Sequence, residues 1–206
     1  MRSETDISRM IDWAVASQAQ PGEAACGDLH LVKPIAAGAL LAVVDGLGHG
    51  DEAVAAAKTA VATLEQHADE LLNALVRRCH EALTKTRGAV MTLVRLRLFD
   101  GQFDWLGVGN VEAVLLRAGS QAGPAERVLL RSGVVGYQLP HVQYSTRQIA
   151  PGDLLVFATD GIGARFEESV VRSNSPQQIA DEIMKRHFKG HDDALVLVVR
   201  FVGRKG

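Results

Sequence analysis

Apolar positions along this chain follow two rhythms. Leu29 to Val32 and Ala39 to Val44 are short apolar runs, and the second is unbroken, as expected of a strand buried on both faces. Asp45 to Gly50 then places three glycines in six residues and predicts a tight turn. From Asp51 the rhythm becomes helical: Val54, Ala57, Val61 and Leu64 share a face, and Asp51 and Glu52 suit the positive N-terminal end. Leu72, Leu75, Val76, Cys79 and Leu83 repeat at the same spacing and predict a second helix, ended by Gly88. Val94 to Leu98 alternates with period two, and Phe99 to Phe103, with Asp100-Gly101 inside it, supplies a hairpin turn. Further strands are predicted at Phe103 to Val108, Val111 to Leu116, Arg127 to Leu130, Leu154 to Ala158 and Ala194 to Val202. A last helix is predicted over Pro176 to His187, with Ser175 as its cap and Pro176 at its first position. Strands in meandering runs, with helices grouped apart from them, predict an α+β domain of antiparallel sheets covered by helices.

Length and composition narrow the picture. At 206 residues the chain is expected to form one domain over residues 1–206 with a core that needs no disulfides. The one loose stretch, Ala118 to Ala125, reads as an exposed hairpin loop. A net charge of -2 with both signs mixed implies no basic face and no nucleic-acid partner. Cys26 and Cys79 are too few for a disulfide framework, lack metal-ligand spacing, and read as reduced buried thiols. The N-terminus, Met1 to Asp6, carries acids where a signal peptide would be basic and then apolar, and no run approaches the roughly 20 apolar residues of a membrane span. The expectation is a cytoplasmic protein with no membrane partner.

Chemistry concentrates in acidic turns at strand ends. Asp45-Gly46 and Asp160-Gly161 each follow an apolar run, and Asp192-Asp193 precedes one. A lone Asp-Gly is a common turn, but three acidic groups at strand ends can meet at one edge of a sheet, where hard divalent cations find the oxygen ligands they need. Adjacent acids such as Asp192 and Asp193 also repel unless a cation or solvent offsets them. Glycine beside the aspartate lets the backbone come close and offer its carbonyl, which makes Gly46 a candidate main-chain ligand.

In order and content, Gly27-Asp28, Asp45-Gly46-Leu47-Gly48-His49-Gly50, Asp160-Gly161 and Asp192-Asp193 resemble the metal-ligand motifs of the metal-dependent protein phosphatases of the 2C class. The Asp-Gly-Leu-Gly-His-Gly form is closest to the SpoIIE-type branch, and within it the chain resembles the RsbX-like stressosome phosphatases. Gly88 to Thr92, Gly107 to Glu112 and Gly133 to Tyr137 support the likeness. The resemblance implies a four-layer αββα sandwich, two antiparallel sheets packed face to face and flanked by helices, with two Mn²⁺ or Mg²⁺ ions at one end. It implies that Asp45 bridges both ions, the Gly46 carbonyl binds one, Asp160 and Asp192 hold the other, and Asp28 acts through water. The implied activity is hydrolysis of phosphoserine or phosphothreonine by a hydroxide bridging the ions. The implied substrates are phosphorylated stressosome scaffold proteins of the RsbR/RsbS kind, which resets general stress signalling. Two other readings stand beside it: action on a phosphorylated anti-sigma-factor antagonist, and an inactive binding module.

The chain departs from the class twice. Where the class usually carries its candidate acid histidine there is Leu47, so His49 in the same turn is the candidate catalytic acid. Gln18 to Cys26 holds no arginine or lysine to grip a phosphate, which leaves the metals or a basic residue such as Arg165. Thr159 either orients the adjacent Asp160 or is a strand-end threonine with no such role, whereas Asn110, Glu112, Trp13 and Trp105 read as structural.

Overall fold

Strand β3 (Gly38–Gly46) is covered on both faces, and that fact organises the molecule. The structure is a computed structural model that describes residues 10–97, 100–119 and 123–203. Leu41 and Val43 of β3 point into a core between two sheets, while Leu40, Ala42 and Val44 point outward to helices α1 (Gly50–Gln66) and α2 (Leu72–Leu83). Side chains alternate across a strand. With both faces buried, both alternating sets are apolar, and the period-two signal disappears into a continuous run.

One sheet has the order β1 (Ile11–Gln18), β11 (Ala194–Phe201), β10 (Leu154–Ala158), β6 (Glu112–Leu116), β7 (Glu126–Arg127). The other has β2 (Asp28–Ile35), β3, β4 (Ala89–Arg97), β5 (Gln102–Val108), β8 (Leu130–Arg131), with β9 (Ser145–Gln148) also on β5. Pairing is antiparallel except between β5 and β8. Phe103, Trp105, Leu155, Phe157, Leu197 and Val199 fill the space between the sheets. Val156, Val196 and Val198 face outward against Ile179, Ala180 and Ile183 of α3 (Pro176–His187). The order of layers is therefore helix, sheet, sheet, helix, as the resemblance implied. Each buried valine or leucine contributes about 1.5–3 kcal/mol, so these doubly covered strands make a stiff frame for the loops at their ends.

Helix α3 has the predicted bounds, and its cap explains them: Gln178 N donates to Ser175 Oγ (3.3 Å), and Ser175 N donates to Gln178 Oε1 (3.0 Å). Other expectations need correcting. The strand expected over Arg127 to Leu130 is two short strands in different sheets, because Val128 enters the core and the chain crosses between layers there. Gly88 does not end α2, which stops at Leu83. Instead Gly88 sits at φ +86° where a Cβ would lie 2.7 Å from Val134 Cγ1 and 2.8 Å from Val135 O. Strands β1 and β9 were not expected: β9 is wholly polar and lies near a sheet edge, and the exposed positions of β1 break any apolar rhythm. Of the predicted hairpin, Asp100 and Gly101 do form a turn, whereas Leu98 and Phe99 lie outside the described residues, as do 120–122 of the expected loop. Cys79 is buried as expected, whereas Cys26 is only partly so.

Candidate metal centre

The register of β2 on β3 sets Asp28 directly opposite Asp45. Opposed residues of an antiparallel pair project from the same face with Cβ atoms about 4.5–5.5 Å apart, so these two carboxylates are neighbours although 17 positions separate them. In the other sheet, Asp160 leaves the end of β10, and Asp192 and Asp193 enter β11, the strand paired with β10. Two glycines let these ends close. A Cβ on Gly161 would stand 1.9 Å from Asp193 O, and one on Gly46 would stand 2.0 Å from Ala53 O in the first turn of α1. Neither glycine has a positive φ, so the requirement is for space alone.

Asp28, Asp45, Asp160, Asp192 and Asp193 consequently share one electrostatic neighbourhood. Burial, reinforced by Asp28, Asp160, Asp192 and Asp193, pushes the Asp45 carboxyl up to about 9. Burial also pushes Asp28 up to about 7; the Thr159 hydroxyl opposes this, and Asp193, Asp160 and Asp192 add to it. Asp160 is raised by burial and by Asp192, against the pull of Lys189, Asn110 and His191. Asp28 Oδ2 is buried without a hydrogen-bond partner. Crowded, half-desolvated carboxylates with an orphaned oxygen are costly unless a cation joins them. Among the described residues no three histidine, cysteine or acidic side chains form a ready-made cage. A hard divalent ion that keeps several waters and takes one or two carboxylates needs no such cage, so this all-oxygen donor set fits one.

The two adjacent acids are not equivalent. Asp193 is buried, and its carboxylate accepts from Gln20 N and Gly27 N, each at 2.7 Å, tying the β1–β2 connection to the entry of β11 next to Asp28. Asp192 is half-buried and, among the described residues, accepts only from the Asp193 amide, at 2.9 Å. Replacing Asp193 by alanine is expected to cost about 2–4 kcal/mol in urea denaturation, because two amides lose a charged acceptor. A cost under about 0.5 kcal/mol, the level of an ordinary surface change, would show that the tie is idle.

Several roles expected from the sequence are reassigned by the geometry. Thr159 Oγ1 accepts from Leu195 N (2.8 Å) and acts on Asp28, not on its neighbour Asp160. Asn110, read as structural, donates to Asp160 Oδ2 at 2.7 Å. Its signal was Gly109, whose φ of +93° and close approach to Val90 turn the chain sharply at the end of β5. Lys189 was not anticipated: its Nζ bonds the Asp160 carbonyl, and it lines a recess of about 170 Å³ with Asn110, Thr159 and Asp160. His49 is the N-cap residue of α1, with an exposed ring whose Nδ1 lies 3.2 Å from Glu23 Oε1. Arg165, in the left-handed region at φ 63°, pairs with Glu168. Trp105 is buried with Nε1 bonded to Ser145 Oγ, whereas Trp13 is half-exposed and packs on His30.

Known proteins share this fold. The family model for stage II sporulation protein E (SpoIIE) matches residues 36–202, a span that includes Asp45, Gly46, Asp160 and Asp192 but not Asp28. The phosphoserine phosphatase RsbX of Bacillus subtilis (strain 168) is 24% identical over 178 residues, 86% of this chain and 88% of that protein. A solved structure from work on the bacterial stressosome as a modular system adapted to control secondary messenger signalling superposes with TM-score 0.84 at 30% identity, covering 92% of this chain and 99% of that one. The crystal structure of RsbX in complex with magnesium has the same fold, with TM-score 0.82 at 23% identity over 93% of this chain and 96% of that one.

Proposed function

The chain belongs to the SpoIIE family and is a protein-serine/threonine phosphatase of RsbX-like type, and from that premise we propose that it dephosphorylates stressosome scaffold proteins in the cytoplasm and so resets general stress signalling. The relative in Bacillus subtilis is a phosphoserine phosphatase, and the 30% identical structure comes from stressosome work. The observation that carries the reading is the convergence of buried and half-buried, mutually repelling carboxylates from separate segments at one end of two sheets.

In this proposal Asp45, the Gly46 carbonyl, Asp160 and Asp192 hold two Mn²⁺ or Mg²⁺ ions, and Asp28 assists through water. When bound, such ions neutralise the phosphoryl dianion and make water a competent nucleophile at neutral pH. The remaining work falls to the chain. Asn110 fixes the Asp160 carboxylate, the Thr159 hydroxyl faces Asp28, and Asp193 anchors the loop that delivers Asp28. The phosphorus–oxygen bond to the serine or threonine breaks, water supplies the new oxygen, and the departing alkoxide takes a proton from His49, which Glu23 orients. Among the described residues no helix is long and apolar enough to cross a membrane.

Turnover of p-nitrophenyl phosphate and of a phosphorylated scaffold protein, each with Mn²⁺, Mg²⁺ or EDTA, tests the reading. Activity is expected to fall at least about 100-fold in EDTA and to return with either ion. Turnover that survives chelation would overturn the metal assignment, and a scaffold phosphoprotein left intact while the small ester is hydrolysed would overturn the substrate.

A further inference from the structure

We infer that the turn bearing Tyr137, together with the connection from Thr84 to Gly88, is the surface on which an acidic phosphoprotein docks while its phosphoserine occupies the metal centre. This inference rests on the phosphatase reading and specifies how that site recognises a protein.

Tyr137 is 84% exposed, the most exposed of the large apolar side chains, yet the turn beneath it is pinned on three sides. Val134 and Gln138 exchange both backbone hydrogen bonds at 2.9 Å, and so do Val135 and Ala89. Gly136 N donates to His80 Nδ1 of α2 at 3.0 Å. Gly136 itself has φ +101°, and a Cβ there would come within 2.6 Å of Leu83 Cβ, so the turn lies flat on the end of α2. A large aromatic ring held in water on a rigid turn gains nothing within its own chain. Because the turn is already ordered, a partner covering the ring avoids the entropy cost of ordering it.

The turn stands at the metal end of the fold. Ala89 is paired with Gly46 on one side and with Val135 on the other, so about two strand spacings, roughly 10 Å, separate Gly46 from Val135. The intervening connection is cationic. Lys85 and Arg87 lie in it with no acid between Thr84 and Gly88, and Arg77 stands exposed on α2 just before it, whereas Arg78 and Arg87 are ion-paired with Glu70 and Glu52. Lys85 is exposed, and Arg87 lies over the Asp45–Gly50 turn, where its Nη1 would touch a Cβ on Gly48 at 2.9 Å. An aromatic anchor beside the exposed cations Lys85 and Arg77, set one small domain's reach from the metal centre, complements an acidic protein surface that carries a phosphoserine. A small aryl phosphate cannot span that distance.

The test compares wild type, Tyr137→Ala and Lys85→Glu on a phosphorylated scaffold protein and on p-nitrophenyl phosphate, at low and high salt. Tyr137→Ala is expected to lower kcat/KM for the phosphoprotein at least about 10-fold, mainly through KM, as loss of an anchor residue does, with the small ester within about 2-fold of wild type. Lys85→Glu should lower phosphoprotein turnover about 3- to 10-fold and flatten its salt dependence. Unchanged phosphoprotein kinetics in Tyr137→Ala, or an equal fall on both substrates, would overturn the inference. If wild type hydrolyses the small ester but not the scaffold phosphoprotein, the substrate assignment fails separately. The same comparison then moves to phosphorylated casein, an acidic phosphoserine protein, on which an unaltered Tyr137→Ala would still overturn the docking surface.

Discussion

Asp45→Asn is expected to abolish phosphatase turnover while making the metal-free protein more stable. The carboxylate is half-buried opposite Asp28, and burial together with four acidic neighbours makes its charge expensive. Asparagine keeps the shape and removes the charge. In EDTA the variant should gain on the order of 1–3 kcal/mol, the size of a relieved desolvation penalty, or several degrees in Tm. With Mn²⁺ present the order should reverse, since only wild type gains binding free energy from the ion. The sign of the pH dependence follows from the direction of the shift. The folded value is raised to about 9 from an unfolded value of 3.8, so between these limits the folded state holds the extra proton. The Asp45 contribution is therefore fully present below the unfolded value and is lost as pH climbs through this window. Asp28, raised to about 7, adds loss of the same sign. Thermal melts of both proteins in EDTA at pH 5 and pH 8 check this: the advantage of the variant should widen at pH 8. A variant less stable than wild type without metal would mean that the cluster is not under charge repulsion. Turnover falling less than about 10-fold would mean that Asp45 is not a central ligand.

Gly161→Ala should be the most damaging single-methyl change at the site. Its Cβ would meet Asp193 O at 1.9 Å and Asp193 C at 2.8 Å, and these are backbone atoms of the neighbouring strand entry that no rotamer change can move aside. Overpacking against side chains costs about 1–3 kcal/mol, so a cost of at least about 3 kcal/mol is expected here, with Tm lower by about 6–12 °C. Activity should fall too, because relief of the clash pushes Asp160 away from Asp192. Gly190→Ala is the control: it has φ +79° but open space around it, so it pays only backbone strain of about 1–2 kcal/mol. Calorimetry of the two variants separates the causes, and a Gly161→Ala protein no less stable than Gly190→Ala would contradict the close approach of these two loops.

How much of this was legible beforehand varied by element. Helices α1 and α2 showed themselves through four or five apolar residues at helical spacing, and α3 through its Ser175-Pro176 start. Strands buried on both faces were equally visible as runs such as Leu195 to Val199. Polar strands near sheet edges were not: Ser145–Gln148 draws its order from β5, and nothing in its own residues announces it. The crossing at Val128 was invisible for a related reason, since a single inward residue decides which sheet each half joins.

The acidic residues followed the same division. Residue type and strand-end position, both local properties, singled out Asp45, Asp160 and Asp192 from the linear chain, along with the glycines that let backbones approach. Which acid does what depended on partners that are remote in sequence. Asp193 finds Gly27 and Gln20, Thr159 serves Asp28 instead of its neighbour, and Asn110 and Lys189 reach Asp160 from two separate loops. Local pattern carries what propensity and periodicity encode. Hydrogen-bond partners, burial and charge coupling are properties of pairs, and pairs exist only once the two sheets have packed.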